Sequence, residues 1–76
     1  MKAYILITIE TGELKKVIRH LKRIEGIIET NMTFGPYDAV AVVESDSVSH
    51  IGQIMADEIQ PIPGVRNTLT CLAIDY

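Results

Sequence analysis

Asp38 closes a run of turn-forming residues, Gly35-Pro36-Tyr37-Asp38, directly ahead of an aliphatic segment. A carboxylate at a hairpin mouth can pair with a ligand ammonium while backbone N–H groups serve the ligand's other end. It can equally stabilise the turn through its own backbone. Tyr37 can wall such a site, and Gly35 can let backbone approach it closely. The matching structural roles are an aromatic lid on the core and a turn glycine. Thr68 and Thr70 share one side of a predicted strand and offer hydroxyls to a ligand or across a subunit contact. Threonine is also an ordinary strand residue. Gly35, Tyr37, Asp38, Thr68 and Thr70 form the candidate ligand-binding set.

Other reactive residue types carry less. Lys15, Lys16, Arg19, Lys22 and Arg23 are five of the seven basic residues and fall on the outer face of one predicted helix. They read as a solvated face, with Lys22 and Arg23 favoured by the helix C-terminus, and a nucleic-acid or protein patch is the alternative. His20 and His50 lack companion carboxylate or cysteine spacing, so neither metal binding nor catalysis is expected of them. Cys71 is the only cysteine, which rules out an internal disulfide. No cofactor is predicted.

The elements that hold these residues follow from apolar spacing. Lys2 to Ile9 is a β-rich run with apolar groups on both faces, as in a central strand. Thr11 can cap a helix with Leu14, Val17, Ile18, Leu21 and Ile24 on one face, stopped by Gly26. Ile27 to Phe34 reads as a second strand, with Ile28, Met32 and Phe34 against a wetter side of Glu29, Asn31 and Thr33. The turn at Gly35 to Asp38 leads into a buried strand from Ala39 to Val43. Asp46 or Ser47 caps a second helix with Val48, Ile51, Ile54, Met55 and Ile59 inward, closed by Pro61. Gly52 within it is read as a point of close packing against a strand. Pro63-Gly64 turns the chain into a last strand, Val65 to Ile74, with Leu69, Cys71 and Ala73 alternating against Thr68, Thr70 and Leu72.

The order is βαββαβ, a ferredoxin-like α+β fold of one domain over residues 1–76. Right-handed crossovers place both helices on one side of a four-stranded antiparallel sheet. The first and third strands still present apolar side chains on the other side. A chain of 76 residues buries only about 60–65% of its unfolded surface. A second copy covering that side is the expected source of extra stability.

From Gly35 onward the sequence resembles the ligand-binding (RAM) domain of the Lrp/AsnC family. Gly35-Pro36-Tyr37-Asp38-Ala39-Val40-Ala41-Val42-Val43 matches its glycine-x-aromatic-aspartate hairpin and aliphatic strand. Ile62-Pro63-Gly64-Val65-Arg66-Asn67-Thr68-Leu69-Thr70 matches its proline-glycine-valine turn and threonine-bearing strand. The resemblance implies dimers made through the sheet faces, rings of four or five dimers (octamer or decamer), and amino-acid-like ligands bound between dimers. Full-length members carry an N-terminal helix-turn-helix, and this chain starts at the first sheet strand. A stand-alone module is therefore expected, without direct DNA binding. An alternative is an architectural partner that joins full-length Lrp/AsnC regulators.

Enzymes of this topology fit poorly. No His, Trp, Asn and Arg set lies on the strands for a dimeric-barrel oxygenase, and Ile9 to Glu13 is acidic where an acylphosphatase-like anion loop needs arginine. A metallochaperone needs a second cysteine, and an RNA-recognition motif needs aromatics on the central strands. The net charge of −3 disfavours general polyanion binding. The longest apolar run, Ala39 to Val43, is too short to cross a bilayer. No signal-peptide pattern is present and the only thiol is unpaired, so a cytoplasmic setting is expected.

Overall fold

The computed structural model describes residues 1–74. Four strands and two helices run in the expected order: β1 (Lys2–Ile9), α1 (Leu14–Leu21), β2 (Ile27–Met32), β3 (Ala39–Glu44), α2 (Val48–Gln53) and β4 (Val65–Leu72). The sheet order is β2-β3-β1-β4, antiparallel throughout.

Period-two alternation divides β1 cleanly. Ala3, Ile5, Ile7 and Ile9 are buried under the helices with Ala39, Ala41 and Val43 of β3. Val17, Ile18 and Leu21 of α1 complete this layer with Ile51, Ile54 and Ile59. Burial of these branched side chains, each worth about 1.5–3 kcal/mol, holds the helices to one face.

The first helix differs from expectation at its start. Glu10 to Glu13 forms a tight turn, with the Glu13 N–H donating to the Glu10 carbonyl at 3.0 Å. Thr11 sits inside that turn, so α1 begins at Leu14 with no side-chain cap. Its last turn tightens, the Arg23 and Ile24 N–H groups donating to the His20 and Leu21 carbonyls at 3.1 Å.

The second helix is capped by Ser47, whose hydroxyl accepts the His50 N–H at 3.0 Å. It then continues as a π-helical segment, Ile54–Ile59, and the Gln60 N–H reaches the Met55 carbonyl at 2.9 Å. A five-residue hydrogen-bond spacing lets Ile54 and Ile59 face the core together. Met55 packs half-buried against the core as the spacing predicts, whereas Val48 is exposed, so the inward set begins at Ile51. Gly52 does not pack against a strand: a Cβ there would meet nothing within 4 Å.

Strand β2 ends at Met32, and residues 33–38 form a loop wider than a tight reversal. A register shift between Ile27 and Glu29 leaves Ile28 exposed. Glu29 and Asn31 then pair with Val42 and Val40. Phe34 lies in the loop, fully exposed.

Candidate functional site

Register fixes what the helix-free side of the sheet presents. Tyr4 stands opposite Val42 on one neighbour and Cys71 on the other. Leu6 stands opposite Val40 and Leu69. Two apolar rows, Val42-Tyr4-Cys71 and Val40-Leu6-Leu69, therefore cross the three strands β3, β1 and β4. Within them Tyr4 is 41% and Leu69 50% exposed. Glu29 and Asn31 flank the rows on β2, joined by a 2.7 Å hydrogen bond. This is a hydrophobic centre with a polar margin, the anatomy of a protein contact surface.

At one end of the rows lies the 33–38 loop. The Thr33 N–H donates to the Asp38 carbonyl at 3.0 Å, and the Thr33 hydroxyl donates to the Tyr37 carbonyl at 2.6 Å. Asp38 is fastened to β1 on both sides of Thr8. Its N–H donates to the Ile7 carbonyl at 2.8 Å, and its Oδ2 accepts the Ile9 N–H at 2.7 Å. The carboxylate thus occupies the place where the β1 register against β4 shifts between Thr8 and Ile9. One oxygen is committed to the fold, so Asp38 has a structural role that reaches across strands rather than within its own turn. Oδ1 makes no hydrogen bond among the described residues.

Thr8 continues this polar end toward β4: its hydroxyl accepts the Asn67 N–H at 3.1 Å. Thr33, Thr8 and Asn67 were not among the predicted site residues. The available signal was Thr8 itself, the one aliphatic hydroxyl in the stretch from Ala3 to Ile9.

The predicted set is only partly brought together. Tyr37 and Asp38 are half-buried neighbours in the loop, and Gly35 lies exposed near its tip. Gly35 has an ordinary φ and open space where a Cβ would stand, so no close backbone approach within the chain requires glycine there. Thr68 and Thr70 pair with Ile7 and Ile5, on the helix-bearing side of the outer strand β4. Thr68 accepts a hydrogen bond from the Gln60 amide at 3.3 Å. Strand β1 separates both threonines from β3 and the Asp38 loop.

A groove of about 710 Å³ lies elsewhere, between α2, its π-helical continuation and the α1–β2 turn, lined by Glu25, Gly26, Glu44, His50, Asp57 and Glu58 among others. No group of three or more His, Cys, Asp or Glu side chains suited to a metal ion occurs among the described residues. No helix among them is long and apolar enough to cross a membrane.

The profile of the Lrp/AsnC ligand binding domain matches residues 2–75. FL11, an HTH-type transcriptional regulator of Pyrococcus abyssi, is 32% identical over 74 residues, covering 97% of this chain and 48% of that protein. The chain spans about half the length of the curated relatives it matches. The crystal structure of FFRP-DM1 superposes with a TM-score of 0.91 at 27% identity, covering 96% of this chain and 97% of the other. The transcriptional regulator NMB0573 of Neisseria meningitidis, solved as a complex with L-Met, shares the fold with a TM-score of 0.87 at 10% identity, over 97% of this chain and 49% of its own. The βαββαβ order, the hairpin carrying Asp38 and the match along nearly the whole sequence agree, and the chain belongs to the Lrp/AsnC ligand-binding domain family.

Proposed function

We propose that residues 1–76 act as one non-catalytic module that dimerises through the helix-free sheet face and binds a small amino-acid-like ligand between subunits, in the service of transcriptional or metabolic regulation. The observation that carries this reading is the pair of apolar rows on the helix-free face, ending at the braced Asp38 loop. Tyr4, Leu69 and Cys71, which stand exposed in these rows, lose contact with water when a second copy covers them.

In this reading Asp38 keeps Oδ2 on the Ile9 N–H and turns Oδ1 to the ligand ammonium. The hydrogen bonds that brace the loop fix the carboxylate before the ligand arrives, which lowers the entropy lost on binding. Thr68 and Thr70 stand on the outer strand, so they serve a ligand only from a neighbouring subunit. The ligand of NMB0573 and the regulator name of FL11 support the ligand class and the regulatory setting.

Calorimetry of the protein against a panel of amino acids tests this. Binding should weaken by about 10- to 150-fold in Asp38→Asn, which keeps an acceptor for Ile9 and removes the charge. Absence of heat and of thermal shift across the panel refutes the ligand reading and leaves an architectural partner of other regulators. Turnover of a bound compound would replace it with an enzyme.

A further inference from the structure

The helix layer segregates charge. The exposed face of α1 carries Lys16, Arg19, His20 and Arg23 around a shallow depression of about 220 Å³. The groove beside it is edged by the carboxylates Glu25, Glu44, Asp57 and Glu58. Among the described residues the sole ion pair is Lys16 with Glu13 at 3.9 Å, so these two patches do not neutralise each other within the chain. Gly26 lines the groove: its φ is +100°, and a Cβ there would come within 2.7 Å of Ile54 Cδ1, so the α1–β2 turn lies directly on the π-helical continuation of α2.

We infer that the basic face of α1 docks into the acidic groove of a second copy of this chain, forming a charged contact through the helix layer. Arg23 and Glu25 are two residues apart, so the patches adjoin at the end of α1. A two-fold axis through that junction lays base on acid and acid on base, which makes the surface self-complementary. A polyanion such as nucleic acid fits less well, because the acidic groove and the net charge of −3 repel it. The contact uses the opposite side of the molecule from the apolar rows, so it does not depend on the sheet-face reading.

The test is sedimentation velocity of the full chain between about 20 and about 500 mM NaCl, a range over which screening of exposed charges becomes nearly complete. The helix-layer association should weaken at least about tenfold across that range. Arg19→Glu with Arg23→Glu, or Asp57→Lys with Glu58→Lys, should abolish it at low salt. All four positions are exposed, so folding should survive, checked by circular dichroism. Combining the four reversals restores complementarity and should restore the salt-sensitive species. A salt-independent distribution, paired reversals that sediment like the parent, or a fourfold variant without rescue overturns the inference. Leu69→Lys, which acts on the other face, should leave the salt-sensitive species in place, so the two contacts fail separately.

Discussion

Leu69 offers the sharpest test of the sheet-face contact. It is 50% exposed in the single chain and closes the row Val40-Leu6-Leu69. Full burial of a leucine is worth about 1.5–3 kcal/mol, so about 1 kcal/mol remains to be gained at a half-exposed one. A two-fold contact counts it twice, and Leu69→Ala should weaken dimerisation by about 2 kcal/mol, roughly 30-fold. Lysine adds an ammonium from each subunit to a contact that excludes water, at several kcal/mol per ion, so Leu69→Lys should weaken the dimer at least about 1,000-fold. Because the side chain already stands half in water, the stability of the single chain should change by no more than about 0.5 kcal/mol. Sedimentation equilibrium over a concentration series at about 500 mM NaCl isolates this contact from exposed-charge effects. A Leu69→Lys protein that dimerises like the parent, or a parent that is a folded monomer throughout, refutes the reasoning.

Asp38→Ala strands the Ile9 N–H that now donates to Oδ2 at 2.7 Å, and chemical denaturation should show a loss of about 1–3 kcal/mol, with Asp38→Asn losing less. Gly64→Ala should destabilise by more than about 1 kcal/mol, since its φ is +101° and the new Cβ would lie 2.8 Å from Glu13 Cβ. Gly52→Ala, in a helix with open space around it, should stabilise by up to about 1 kcal/mol in the same assay. Ser47→Ala removes the acceptor of the His50 N–H and should lower stability by about 1 kcal/mol, seen as a reduced thermal midpoint.

The sequence alone determined the element order, the central position of β1 and β3, and the sidedness of β4. Each rests on local periodicity: Leu69 and Cys71 alternate with Thr68 and Thr70 whatever the strand pairs with, and the register merely assigns the faces. The hairpin carrying Asp38 was legible for the same reason, since its turn residues and the aliphatic run after it are contiguous. The tertiary structure decided where carboxylate and backbone met. That Asp38 fastens a register shift in β1, 29 residues earlier in the chain, depends on strand pairing, which no local pattern encodes. The same holds for the displaced start of α1, where the Glu10–Glu13 turn removed Thr11 from the cap, and for the π-helical turn that brings Ile54 and Ile59 to one core. Segregation of the basic face from the acidic groove is likewise a product of packing, because Glu44, Asp57 and Glu25 come from three separate segments. Periodicity reads one element at a time; contacts between elements are set by how their buried faces fit together.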